Sequence, residues 1–353
     1  MKKHNFSAGP SILPQTVFEN ASQAVIDFEN TGLSILEISH RSSEFLNVIE
    51  RARALALELA GLDDSYEALF LHGGASTQFL SVPYNLLENK AAYIDTGTWA
   101  NKALKEAQLF GKVEVIASSK DTGYRHIPKE YSIPKDVDYL HITTNNTIYG
   151  TQYHSLPTTE VPLVADASSD IFSRTMDYSK FSVIYAGSQK NIGPSGSTLV
   201  LIKKDVLGKV SRKIPSILSY ENQIGNESMF NTPTTFSIYV NLLVLEWIQA
   251  KGGLQGMEKL NQVKAELIYN EIDRNPLVLG YANTEDRSLM NVVFNLKDTS
   301  AEILFDALCE EAGISGIKGH RSVGGYRASI YNAMPLESVQ LLVEVLQLLE
   351  RKS

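Results

Sequence analysis

Two side chains in neighbouring segments carry the most specific chemistry in this sequence. Lys190 lies in AGSQKNIGPSGSTLVLI (186–202), between the apolar runs FSVIY (181–185) and STLVLI (197–202). Both runs have strand character, and the loop between them holds Gly187, Gly193, Pro194 and Gly196. A loop lysine is ordinarily a solvated one. Here the preceding segment, VPLVADASSD (161–170), is a further apolar run that ends in Asp166. Ligands of α/β sheets bind where strands end. One strand therefore delivers an acid and the next an amine. Pyridoxal phosphate (PLP) needs that pair: an amine for the Schiff base and a carboxylate facing the pyridine nitrogen.

Other motifs supply what such a cofactor and an anionic substrate would need. HGGAST (72–77) follows an apolar run and opens a helical pattern. Backbone N–H groups at a helix N-terminus attract phosphate, and Ser76 and Thr77 add hydroxyls. The motif is neither GxGxxG nor a P-loop, so a dinucleotide or nucleoside triphosphate site is poorly supported. Trp99 follows another glycine turn and offers a flat ring for stacking, although core packing is the commoner use of an indole. Thr147 ends a strand and can bond a ring hydroxyl. His40–Arg41 follows SILEIS, and GHRSVGGYRASI (319–330) holds His320, Arg321 and Arg327. Arginine presents a planar fork suited to carboxylate and phosphate. Any one of these could be an ordinary surface cation; together they suggest an anion site.

The elements that must position these residues alternate. Helical spacing is expected over 15–28 and 43–60, the latter stopped by Gly61. Strand–glycine turn–helix units follow at 66–87 and 91–111, and Pro83 should bend the first helix or set its start later. Strands are expected at 113–118 and within 138–150. The pattern implies an α/β fold, a mostly parallel sheet with helices on both faces. Residues 216–234 read as a long polar loop, functional or interfacial. Helices at 235–253 and 254–274, a strand at 291–296, a helix at 300–312 with Thr299 and Glu302 as a capping box, a strand within 325–333 and a helix at 336–351 complete the chain. The expected organisation is an N-terminal arm (1–14) associated with a small C-terminal α+β domain (259–353), and a large cofactor-binding domain between them (15–258).

Composition limits the alternatives. The chain has 353 residues, enough for two domains, and a net charge of -8 that argues against nonspecific nucleic-acid binding. The single Cys309 excludes an internal disulfide and fits a reducing compartment. Scattered histidines give a metal site no support. The first residues lack a secretory h-region, and no stretch approaches a membrane span, so a cytoplasmic protein without membrane partners is expected.

The motifs NFSAGP, SHRS, HGGAST, the TxTW turn, NNTIYG, VADASSD, AGSQKNIGPSG, NTPTTFSIY and KGHRSVGGYRASIYNA, in this order, resemble the phosphoserine aminotransferase family over nearly the whole chain. The resemblance implies the fold-type I PLP architecture and a homodimer with shared active sites. It implies that Lys190 binds the cofactor covalently and that Asp166 pairs with the ring nitrogen. Trp99 would stack on the ring and Thr147 would contact its polar edge. Ala75, Ser76 and Gln189 would hold the phosphate, joined by Asn231 and Thr232 of the other subunit. His40, Arg41, His320 and Arg321 would bind the distal anion of the substrate, and Arg327 its α-carboxylate. Many family members carry Arg where this chain has Ser76, so one phosphate contact would lose a charge. The implied reaction moves an amine from glutamate to 3-phosphohydroxypyruvate, giving phosphoserine and 2-oxoglutarate. The phosphohydroxythreonine step of pyridoxine synthesis is an added possibility. The alternatives are another fold-type I enzyme, such as an alanine–glyoxylate aminotransferase or a cysteine desulfurase, or a silent PLP-binding scaffold. A desulfurase needs a mobile cysteine, and Cys309 falls in an expected helix, LFDALCEE.

Overall fold

The strand ends that hold Asp166 and Lys190 belong to one seven-stranded sheet. In the computed structural model, which describes residues 3–353, its spatial order is Tyr66–His72, Ser197–Lys203, Val183–Gly187, Leu163–Asp166, Tyr139–Thr143, Lys90–Asp95 and Lys112–Ser118. Ser197–Lys203 runs antiparallel to both neighbours, and every other adjacent pair is parallel. The central strands are nearly continuous apolar runs because both faces are covered. One face packs on helices Gln15–Ile26, Ser43–Ala60 and Thr235–Ala250 through Phe45, Ile49, Ile142, Ile184 and Leu245. The other packs on helices Ala75–Leu86 and Thr98–Ala107 through Phe79, Leu104, Tyr139 and Tyr185.

A second core forms around a three-stranded antiparallel sheet, Val278–Gly280, Asn291–Leu296 and Tyr326–Ser329, and helices Glu302–Glu311 and Leu336–Lys352. Helix Gly253–Arg274 joins the two, with Met257 in the first core and Ala265, Ile268 and Ile272 in the second. It passes unbroken through the expected boundary at 258/259. The N-terminal arm is not wholly irregular. His4–Asn5 pairs in parallel with Ile314–Ser315, and Phe6 is buried in the second core. Residues 1–2 of the arm lie outside the described residues.

Several local expectations are corrected. Helix Ala75–Leu86 starts at the motif and runs through Pro83, so the proline does not delay its start. The segment 216–234 is not a plain loop: a 3₁₀ turn at Ser216–Leu218 leads into a helix at Tyr220–Gly225 capped by the Ser219 side chain. The expected capping box fails because Asp298 takes the role. Its carboxylate accepts from the Ser300 N–H (2.8 Å), Thr299–Ala301 is a 3₁₀ turn, and the α-helix begins at Glu302. The helix expected to reach 253 ends at Ala250, where Gly252 and Gly253 turn the chain. The strand within 325–333 is confined to Tyr326–Ser329.

Candidate active site

Five strand ends converge at the carboxyl edge of the sheet. At the first, Gly73 adopts φ +88°, and a Cβ there would meet Thr77 Oγ1 at 2.5 Å, so the sharp entry into helix Ala75–Leu86 needs glycine. The Thr77 N–H bonds back to the Gly74 carbonyl (2.9 Å), and Gly74 provides no side-chain cap. Ala75 and Ser76 thus open a twelve-residue helix with its positive end free to meet an anion. Gln189 lies opposite. A Cβ on Gly187 would touch Gln189 Oε1 at 2.7 Å and the Ala75 nitrogen at 3.4 Å, so the two flank one small space. Gln189 and the helix start can hold a phosphate between them.

Asp166 ends its strand buried. Ser168 donates to Asp166 Oδ1 from both its N–H (3.0 Å) and its hydroxyl (2.6 Å). The same hydroxyl accepts from the Gly187 N–H at 3.1 Å, which ties the acid to the start of the Lys190 loop. Both protein hydrogen bonds land on Oδ1, which leaves Oδ2 for a ring N–H. Burial raises the Asp166 pKa, opposed by the Lys190 charge and the Ser168 bonds. A protonated ring nitrogen opposite would be a further cation pulling it down again.

The Lys190 loop closes between antiparallel strands, with the Ser188 N–H on the Ser197 carbonyl at 3.0 Å. Lys190 Nζ donates to Thr147 Oγ1 (2.9 Å) and lies 5.8 Å from the Trp99 ring centroid. Burial pulls its pKa down to about 8; Asp166 opposes that shift, and the Arg327 guanidinium adds to it. Arg327 projects from strand Tyr326–Ser329, and its buried Nε has no protein partner among the described residues. An unpaired buried guanidinium nitrogen next to the amine suits a carboxylate ligand. His320 accepts from the Ser322 N–H at Nδ1 (3.2 Å). Its pKa is lowered by burial and by the charges of Arg327, Arg321 and Lys102. Lys102 also lies 4.6 Å from the Trp99 ring centroid. One chain thus brings Lys190, Asp166, Trp99, Thr147 and Arg327 together, with His320 within reach of the Arg327 and Lys102 charges.

Two expected site residues, His40 and Arg41, are not joined to this group. Among the described residues no hydrogen bond or ion pair links His40 or Arg41 to Lys190, Asp166 or Arg327. Arg41 is exposed, and its N–H bonds the Ser39 hydroxyl (3.2 Å). Asn231 and Thr232 lie near the edge strand, where His72 Nε2 meets the Thr232 carbonyl at 2.7 Å.

The structure adds residues that spacing could not reveal. The arm crosses the lysine loop: the Ser11 N–H bonds the Gln189 carbonyl (3.0 Å), and the Ser11 hydroxyl bonds the Lys190 carbonyl. Tyr331 donates to the Ala8 carbonyl at 2.8 Å. Lys102 is a helical lysine with no sequence signature. Two other groups are excluded from proton transfer or thiol chemistry. His141 is buried with its pKa pulled down to about 3, so it stays neutral. The Cys309 thiol, buried in helix Glu302–Glu311, is pushed up to about 12, which argues against the desulfurase alternative. Among the described residues no group of three His, Cys, Asp or Glu is placed to hold a metal, and no helix is long and apolar enough to cross a membrane.

Comparison with known proteins gives the family. The family profile of class-V aminotransferases matches residues 3–342. A phosphoserine aminotransferase of Flavobacterium johnsoniae is 62% identical, covering 100% of both chains. The solved phosphoserine aminotransferase of Bacillus circulans subsp. alkalophilus superimposes with TM-score 0.96 at 44% identity, covering 99% of each chain. The PLP-bound phosphoserine aminotransferase of Trichomonas vaginalis does so with TM-score 0.93 at 34% identity, covering 98% of this chain and 100% of that one. Full-length identity of this order favours these enzymes over the alanine–glyoxylate alternative. The fold is that of the fold-type I PLP enzymes. The chain belongs to the class-V aminotransferases and, within them, to the phosphoserine aminotransferase family of PLP-dependent enzymes.

Proposed function

We propose that this aminotransferase moves the amino group of L-glutamate to 3-phosphohydroxypyruvate, giving O-phospho-L-serine and 2-oxoglutarate. The observation that carries this reading is the row of cations beyond Lys190. Arg327 has an unbonded buried Nε, and the charges of Arg321 and Lys102 reach His320. None of Arg327, Arg321 or Lys102 has a carboxylate partner within ion-pair distance among the described residues. A site built this way takes a substrate with an anion at each end. Arg327 takes the α-carboxylate, and His320 and Arg321 take the distal phosphate or γ-carboxylate. The phosphorylated hydroxythreonine of pyridoxine synthesis has the same two anions and is proposed as a second substrate, with the cytoplasm as the compartment.

The bound cofactor supplies an electron sink for the carbon whose C–H bond breaks. The chain's own residues do the rest. Asp166 would hold a protonated ring nitrogen with its carboxylate, Trp99 would offer its indole to the ring, and Ala75, Ser76 and Gln189 would hold the phosphate. Lys190, oriented by its bond to Thr147, would move the proton at the substrate carbon. Its lowered pKa leaves a substantial neutral fraction near neutrality, which a base requires.

The remaining contacts fit a dimer with shared sites. Asn231 and Thr232 would serve the partner's cofactor phosphate, and His40 and Arg41 would face the second copy. Phe18, Ile26, Leu33 and Leu36, which precede His40 and Arg41 in the chain, are exposed and would be covered there. We take 1–14 as an arm moving with a small domain, 259–353, against the large domain, 15–258.

The test is a single half-reaction. Phosphoserine and glutamate should each discharge the visible absorbance of bound PLP, and serine and alanine should do so poorly. Charge-assisted hydrogen bonds contribute roughly 1.5–3 kcal/mol each. Loss of two should lower the specificity constant by about two to four orders of magnitude. Equal handling of serine and phosphoserine would overturn the assignment.

A further inference from the structure

Lys264 is a buried cation that the chemistry above does not use. It lies on helix Gly253–Arg274, is 2% exposed, and faces the chain that leaves the Arg327 strand. Its Nζ donates to the carbonyls of Ile330 (2.9 Å), Tyr331 (2.6 Å) and Asn332 (3.4 Å). Burial alone depresses its pKa, and no carboxylate offsets that cost. Three consecutive carbonyls turned toward one ammonium fix a tight backbone path just after Arg327.

That path leads directly to the site. The Asn332 N–H donates to Asn191 Oδ1 at 3.0 Å, next to Lys190 in the chain. The Asn332 amide donates to the Phe172 carbonyl (3.0 Å), and its oxygen accepts from Asn261 (2.8 Å), one turn before Lys264. The Tyr331 hydroxyl bonds the Ala8 carbonyl (2.8 Å), accepts from Asn291 (3.2 Å), and lies close enough to Thr147 and Arg327 to feel both. Thr147 in turn accepts from Lys190. The segment held by Lys264 therefore meets the catalytic loop, the N-terminal arm and the carboxylate-binding arginine.

We propose that Lys264 is a positioning residue for the transamination site, holding the 330–332 turn so that Tyr331, Asn332 and Arg327 keep their register against the Lys190 loop. An apolar side chain of similar size often stabilises a fold as well as a buried charge does, so an unpaired ammonium fits a role in placing its partners. The proposal rests on Arg327 as the carboxylate anchor.

The test uses the PLP-loaded enzyme and two variants. Lys264→Met keeps the side-chain length and removes the donor. Its thermal midpoint should fall, because buried carbonyls lose their donor, while the variant stays folded with PLP bound at the assay temperature. The specificity constant for glutamate and for phosphoserine should each fall about tenfold or more, mainly through KM. Tyr331→Phe removes one hydroxyl from a packed ring and should fold whatever Lys264→Met does. It should raise KM several-fold for both substrates, and the double variant should be no worse than Lys264→Met alone. Specificity constants within twofold of wild type in either variant would overturn the proposal. So would a loss that disappears when the assay is cooled well below the melting transition, which marks a purely structural role. Arg327→Ala separates the two readings: if it leaves KM unchanged, the carboxylate assignment fails whatever the Lys264 variants show.

Discussion

Lys190 illustrates how one side chain can be tuned by its surroundings. Burial stabilises the neutral amine, the nearby Arg327 charge does the same, and Asp166 works against both. The balance is a pKa lowered to about 8. The neutral fraction grows as pH rises through that value, and in the role proposed for Lys190 only the neutral amine would bond the cofactor aldehyde. Apoenzyme mixed with PLP should therefore load roughly ten times faster per pH unit below about 8 and level off above it. Stopped-flow absorbance checks this, and a pH-independent loading rate would show that the amine is not depressed. Lys190→Ala should lower turnover by roughly three orders of magnitude or more, because a positioned proton-transfer group alone contributes about 10²–10⁴-fold. Near-normal turnover would remove Lys190 from the mechanism.

At the scale of elements, the lysine loop is held from behind by helix Thr235–Ala250. This helix is apolar nearly all round, as a buried helix should be, yet it carries the fully buried Asn241. Oriented to suit its neighbours, the Asn241 amide donates to the Ile192 carbonyl (3.2 Å), and its oxygen accepts from the Ser188 and Ser197 hydroxyls (3.2 and 2.8 Å). Both ends of the lysine loop are thereby tied to one residue. The helix approaches so closely that a Cβ on Gly193 would collide with that side chain. Gly193→Ala should cost about 1–3 kcal/mol of stability through overpacking. It should also reduce activity by displacing Lys190. Urea denaturation and turnover test this together, and an alanine variant with unchanged values for both would show that the loop has slack.

At the scale of the molecule, the proposed shared site would make assembly and cofactor binding one equilibrium. A ligand bound across an interface stabilises the assembly by mass action. Sedimentation at micromolar concentration should find the PLP-loaded enzyme as a dimer, and an active, loaded monomer would contradict the shared site. The same division between local and long-range effects decides what could be read from the chain alone. Strand–glycine–helix units, the acid at one strand end and the amine after the next were legible because hydrophobic period, turn residues and short motifs are local properties. The Asp298 cap was missed because the neighbouring Ser/Thr and Asp side chains compete for the same N–H groups, and spacing does not say which wins. The helix at 220–225 has a local cap in Ser219, but six residues are too few to show a helical period, and part of its hold comes from distant partners, such as Asn85 accepting from the Tyr220 N–H at 3.0 Å. The motif carrying His320, Arg321 and Arg327 was visible, but bringing Arg327 to Lys190 required two separate cores to meet. Lys264 and Tyr331 had no signature in the sequence. Their roles depend on backbone carbonyls and on an arm more than 300 residues away in the chain, and only the folded chain brings such groups into hydrogen-bond range.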